Sequence, residues 1–193
     1  MDTVVLKDRF STGMTDEEFL WFCQENKDLK IERNSNLEII IMSPVTTKSN
    51  YGSGAAFAQL YMWSIKNKNG YAFDSSTGFT LPDRSVFSPD ASWVSLEKWN
   101  ALSEEDKDRF APICPEFVIE VRSKSDSLED LQKKMLVWIK NGTQLAWLID
   151  PREKTSYIYR PEKEMEEVKG LDLKISGEGP VGGFVLDLSL LTI

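Results

Sequence analysis

Apolar and polar positions alternate along this chain with two different periods, and the switch between them marks out strands and helices. Residues 117–122 place Phe117, Ile119 and Val121 on one face and Val118, Glu120 and Arg122 on the other, the period of two expected of a strand. A carboxylate thus interrupts an otherwise apolar strand. In the next segment Leu128, Leu131, Met135, Trp138 and Ile139 recur at helical spacing, with Asp126 as N-cap, Glu129 three residues on and Asn141-Gly142 as the stop.

The same reading extends in both directions. Thr15-Asp16-Glu17-Glu18 is a capping-box pattern opening a short helix with Phe19, Leu20, Phe22 and Cys23. The β-rich run 37–42 follows Asn34-Ser35-Asn36 and stops at Ser43-Pro44, which predicts a hairpin with residues 30–33 as its other arm. Between 49 and 68, Phe57, Leu60, Tyr61, Ser64 and Ile65 outline a long amphipathic helix closed by Asn69-Gly70. Strands are expected at 78–81, 86–94, 145–149 and 155–159, a charged helix around 103–110, and edge strands within 165–193. The order predicts an α/β fold of the α+β type, a mixed sheet with flanking helices. No repeat or linker divides the chain, so one domain over residues 1–193 is expected: an N-terminal helix and hairpin (1–47), a core (48–160) and C-terminal edge strands (161–193).

Composition narrows the chemistry. With 41% hydrophobic and 28% charged residues in 193, the chain has ordinary globular composition. It contains no histidine, which excludes Ser-His-Asp and Cys-His hydrolases, histidine-ligated zinc or haem, and a histidine pH switch. Cys23 and Cys114 stand far apart with no second cysteine near either, so buried reduced thiols are expected rather than a redox or metal motif. The start lacks a leader pattern and no run approaches a membrane span. A cytoplasmic protein with no membrane partner is the expectation. The net charge of −8 argues against coating nucleic acid through bulk charge, while leaving room for a local basic groove.

Three residues carry the candidate chemistry. Asp90 follows Pro89 within the 86–94 segment, Glu120 interrupts its strand, and Lys134 rides the helix that follows. Two carboxylates from neighbouring strands form a hard oxygen site suited to Mg²⁺, and a lysine beside it can orient or deprotonate water and offset charge on phosphorus. Such a set suits phosphodiester hydrolysis. At roughly 100° per residue, Lys134 lies about 100° from the centre of the helix's apolar face and Lys133 about 160° from it. Lys134 is therefore the one able to reach over the sheet, with Asp130 one turn earlier as a possible partner. Plainer roles stay open: Glu120 on a half-exposed sheet face, Asp90 in a simple turn, Lys134 at a solvated helix edge, and Arg122 as a salt-bridge partner of Glu120.

Ser88-Pro89-Asp90-Ala91-Ser92-Trp93-Val94, Pro115-Glu116-Phe117-Val118-Ile119-Glu120-Val121-Arg122-Ser123, Asp130-Leu131-Gln132-Lys133-Lys134 with Trp138 and Gly142, and Trp147-Leu148-Ile149-Asp150-Pro151 together resemble the Uma-type restriction endonuclease family of the PD-(D/E)XK nuclease superfamily. The likeness spans roughly residues 17–159, including a first hairpin from Ile31-Glu32 to Met42-Ser43-Pro44. It implies a restriction-endonuclease-like core in which Asp90, Glu120 and the main-chain carbonyl of Val121 bind Mg²⁺ or Mn²⁺. The superfamily's simplest pattern has a lysine two residues after the acid, where this chain has Arg122, whose guanidinium is a poor proton acceptor. The family commonly supplies its lysine from the following helix instead, and that position is Lys134. A histidine frequent in the family near the start of the long helix, close to Ser49 here, has no counterpart.

The resulting expectation is a metal-dependent endonuclease acting on nucleic acid, most readily DNA. Arg122, Lys124, Lys133 and Lys140 would grip substrate backbone. Glu32 would be either an extra acid near the metal or a paired hairpin carboxylate. A homodimer would serve to cut both strands of a duplex. The competing expectations are a nuclease-fold protein that no longer cleaves and serves as a binding or regulatory module, and a structural domain whose acids are ordinary surface groups.

Overall fold

The computed structural model describes residues 4–6, 13–42, 46–170 and 173–193. A short strand β1 (Val4–Leu6) precedes helix α1 (Asp16–Glu25) and the hairpin of β2 (Lys30–Arg33) and β3 (Ile39–Met42). The long helix α2 (Thr47–Asn67) leads to β4 (Gly70–Asp74), the short β5 (Phe79–Thr80) and β6 (Val86–Phe87), and β7 (Ala91–Ser95). Short helices α3 (Leu96–Asn100) and α4 (Glu104–Lys107) separate β7 from β8 (Phe117–Val121), which is followed by α5 (Leu128–Lys140), β9 (Leu145–Asp150) and β10 (Thr155–Tyr159). The chain then forms β11 (Glu166–Lys169), β12 (Lys174–Ser176) and β13 (Val185–Asp187).

The central sheet has the order β11-β10-β9-β8-β7-β4. Only β8 and β9 pair in parallel within it, with α5 as the crossover between them. A second sheet, β1-β3-β2-β6-β5, stands beside the first. The expected mixed α/β architecture is thus present. Both faces of the central sheet are covered, so β8 is buried along its whole length. On one face Trp93, Phe117, Ile119 and Trp147 pack under Ala56 and Leu60 of α2. On the other, Val94, Val118 and Leu148 pack under Met135 and Trp138 of α5. Alternation along β8 therefore turns Glu120 toward α5 and away from solvent.

Several local expectations are met. Thr15 and Glu18 form the reciprocal capping box, with Thr15 N donating to Glu18 Oε2 at 2.8 Å and Glu18 N to Thr15 Oγ1 at 3.2 Å. The hairpin, α5 with its Gly142 stop at φ +114°, and β10 also lie where the pattern puts them. Cys114 is a buried free thiol as expected, whereas Cys23, also a free thiol, is only half-buried. Among the described residues no helix is long and apolar enough to cross a membrane.

Other expectations are corrected. The 86–94 segment is two strands, because Pro89 lacks the N–H that would continue a ladder; β6 and β7 join different sheets. Helix α5 is capped by Ser127, whose hydroxyl accepts from Asp130 N, while Asp126 accepts from Ser123 N at 2.7 Å. Helix α2 ends one step before Lys68 at φ +55°, and Gly70 opens β4 instead of closing the helix. A Cβ at Gly70 would lie 2.3 Å from the Trp93 ring, so only glycine permits this approach. In the tail, β11 is an edge strand, but β12 and β13 pair with each other and bring Phe184, Leu186 and Leu191 into the core on the α2 face. The expected stop at Ser43-Pro44 lies outside the described residues, as does the side chain of Ser49.

Candidate active site

The site forms where three elements meet at the C-terminal end of β8. Strands β7 and β8 pair antiparallel with Ala91 opposite Ile119, and one further step in that register sets Asp90 across from Glu120. Side chains directly opposite on antiparallel strands are close neighbours. The break at Pro89 releases Asp90 from the ladder, and its Oδ2 accepts a hydrogen bond from Val121 N at 2.8 Å.

Helix α5 lays two polar groups over this pair. Lys134 Nζ stands 3.0 Å from Glu120 Oε1 and 2.9 Å from Glu32 Oε1, and lies 5.2 Å from the centre of the Phe87 ring. One turn on, Trp138 Nε1 donates to Glu120 Oε1 at 3.3 Å. Glu32 arrives from β2. Its neighbours Ile31 and Arg33 face α1, where Arg33 stacks over Phe19 at 4.7 Å and pairs with Asp16. Alternation then turns Glu32 to the α5 side, where Oε1 also accepts from Ser88 N at 2.9 Å. A single hairpin carboxylate thus ties the helix lysine to the loop that carries Asp90.

Burial and mutual repulsion set the electrostatics. Removal from water, opposed by the Lys134 ammonium and by Lys30 and aided by repulsion from Asp90 and Glu32, leaves the Glu120 carboxyl raised to about 7. Burial likewise raises Asp90, opposed by Lys30, by its bond from Val121 N and by Lys134. Burial alone would lower Lys134, but the carboxylates of Glu120 and Glu32 outweigh it and hold the amine above its ordinary range. Lys134 therefore remains an ammonium at neutral pH.

The donor set fits a small hard cation. The hydrogen bonds to Asp90 and Glu120 use Oδ2 and Oε1, so one oxygen of each carboxylate has no protein donor among the described residues. Two desolvated, mutually repelling acids with free oxygens suit an ion such as Mg²⁺ that needs only one or two carboxylates plus water and a phosphate. Among the described residues no group of three or more His, Cys, Asp or Glu side chains is arranged to share one ion. Glu32 is engaged by Lys134 and by Ser88 N.

The basic residues expected to grip substrate divide. Arg122 is committed to Asp150, with Nη1 2.5 Å from Oδ2, and is not the partner of Glu120. Lys133 points outward to Glu129 at 2.7 Å and Asp130 at 3.8 Å, so Asp130 pairs with Lys133 and not with Lys134. Lys124 and Lys140 are exposed, the latter beside Asp83. Sequence reasoning missed the donor role of Trp138, which helical spacing marks only as a core residue. Its indole N–H is visible in composition, but its target is set by packing.

A crystal structure of "a putative nuclease belonging to DUF820 from Anabaena variabilis" superposes with a TM-score of 0.73 at 25% identity, covering 92% of this chain and 97% of that one. A cryo-EM structure of a DrdV–DNA complex overlaps to a TM-score of 0.36 at 13% identity, over 56% of this chain and 9% of that one. No curated protein sequence matches the chain significantly. Residues 16–189 match the sequence profile of Uma2, described as "Putative restriction endonuclease", and with nearly the whole chain inside that match, the protein belongs to the Uma2 family.

Proposed function

We propose that the protein is a metal-dependent endonuclease that hydrolyses phosphodiester bonds of DNA. The observation that carries this reading is the opposition of the half-buried Asp90 and the buried Glu120, with the Lys134 ammonium 3.0 Å from Glu120. Membership of a restriction endonuclease-type family and likeness to a nuclease structure support it.

Asp90, Glu120 and the Val121 carbonyl would hold Mg²⁺ or Mn²⁺. Bound there, the ion supplies Lewis-acid polarisation of the phosphate and neutralises developing charge. Lys134 has three N–H donors, two of which reach Glu120 and Glu32. The third is available to a water or a phosphate oxygen. Because the amine stays charged, Lys134 positions the attacking water and stabilises charge on phosphorus by donation, and does not act as a general base. Glu32 aims that ammonium through a fixed ion pair, and Trp138 fixes the rotamer of Glu120. Cutting both strands of a duplex with one such site per subunit calls for a symmetric pair of subunits.

The test is a titration of Mg²⁺ and Mn²⁺ against duplex DNA, single-stranded DNA and RNA, with Lys134→Ala in parallel. Metal-dependent cleavage of DNA that is lost in the variant supports the reading. Equal cleavage by parent and variant, or none by either, refutes it.

A further inference from the structure

Lys30 begins β2 two residues before Glu32 and lies on the same face of that strand, at its exposed end. Strand β2 pairs with β6 at Arg33 and Val86, and beyond that point the Glu32 bond to Ser88 N keeps the loop leading to Asp90 beside it. At about 3.3 Å per residue, Lys30 starts roughly 7 Å from Glu32, within reach of the mouth of the acidic site for a four-carbon side chain. Of the charged side chains around Asp90, Lys30 exerts the strongest pull, ahead of Lys134, and it also acts on Glu120. Its ammonium makes no ion pair among the described residues, unlike Lys107, Lys133, Lys169 and Lys174.

The charge balance shows why a second cation matters. Asp90, Glu120 and Glu32 face one buried amine, Lys134, and that amine is held by two of the three. Before a metal ion binds, an anionic phosphate approaching this cluster meets net negative charge that a cation at the entrance would offset. Arg122 and Lys133 are already neutralised by their partners.

We propose that Lys30, at the mouth of the acidic site, receives a phosphate of the nucleic-acid backbone and places the adjoining phosphodiester over Asp90 and Glu120. This rests on the nuclease reading above and assigns to β2 the substrate contact that the sequence places on the strand and helix around Glu120.

Binding separates this contact from catalysis. Fluorescence anisotropy with a labelled DNA duplex of about 20 base pairs in EDTA, from about 50 to 200 mM salt, reads the number of neutralised phosphates as a slope. Losing one phosphate contact lowers that slope by roughly 0.9 and the affinity by about 8-fold near 0.1 M salt. Lys30→Ala is expected to show both losses, Lys30→Arg to retain the slope, and Lys163→Ala, an exposed lysine in the turn before β11, to match the parent. Lys30→Ala with parental slope and affinity overturns the proposal, as does a parent that binds no nucleic acid. If the parent cleaves with Mg²⁺ while Lys30→Ala binds normally, only the Lys30 contact is refuted. If the parent binds through Lys30 but cleaves nothing, the endonuclease reading fails and the contact stands.

Discussion

Glu120 and Arg122 sit two residues apart with side chains on the same side of the chain, and each enters a buried ion pair, yet the two pairs are balanced differently. Arg122 meets Asp150 one charge for one. Asp150 Oδ2 takes the guanidinium at 2.5 Å, and Oδ1 accepts Arg152 N at 3.0 Å and Glu153 N at 3.2 Å. Arg122 also donates through Nε to Asp126 O at 3.1 Å. Glu120 instead shares one lysine with Glu32 and faces Asp90 across the strand pair. The first arrangement is complete and locks the turn after β9 to the end of β8. The second shares one ammonium among its acids, and burial, with lesser repulsion from Asp90 and Glu32, holds the Glu120 carboxyl at about 7. Burial of charge by itself thus does not single out a site; it is the incompletely compensated cluster at Glu120 on which the proposed function rests.

Substitutions that disturb the balanced pair should give the largest loss of stability. Arg122→Ala strands the buried Asp150 carboxylate, with an expected cost of roughly 3–5 kcal/mol in urea denaturation. A change within 1 kcal/mol would show that the pair is not the structural lock described. Asp90→Asn and Glu120→Gln should do the reverse, lowering metal-dependent cleavage by about two to three orders of magnitude with the fold intact by circular dichroism.

Added metal distinguishes the two pairs next. Mg²⁺ or Mn²⁺ at about 100 times its Kd contributes ~2.7 kcal/mol to the native state, a rise in Tm of roughly 5–10 °C. The rise should persist in Arg122→Lys and vanish in Asp90→Asn; persistence in Asp90→Asn would place the ion elsewhere. The pH dependence of the metal-free protein is subtler. The Glu120 carboxyl sits at about 7 in the folded chain against an ordinary 4.5, so between these values the folded state holds more protons than the unfolded one. Stability should fall as pH rises from about 4.5 to about 7, and Glu120→Gln should flatten that slope. A parental slope in the variant would assign the titration to another group. Lys133→Ala, which removes only an exposed helix pair, should leave Tm within experimental scatter.

Period and capping made much of this molecule readable in advance. The strand 117–121, the helix through Lys134 and the Thr15 capping box depend on residues a few positions apart, and local sterics and hydrogen bonding decide them. The angular position of Lys134 on its helix was legible for the same reason. Its partner was not: Asp130 lies one turn away in sequence, but Lys134 reaches Glu32 and Glu120 across 102 and 14 residues. Strands β1 and β4 escaped the pattern; β4 gains its place by pairing with β7 and by Gly70 lying against Trp93.

The amino-acid order alone determined the strand 117–121, the helix through Lys134, the first hairpin and the capping box at Thr15, together with the chemistries that the absence of histidine removes. Packing settled the rest: that both faces of β8 are covered, that Glu120 is driven up by dehydration while Arg122 is neutralised, and that a hairpin carboxylate joins the site from the far end of the chain. The division has a physical cause. Backbone conformation responds to neighbours within a turn or two, whereas dielectric surroundings and charge balance depend on everything that folding brings within a few ångströms.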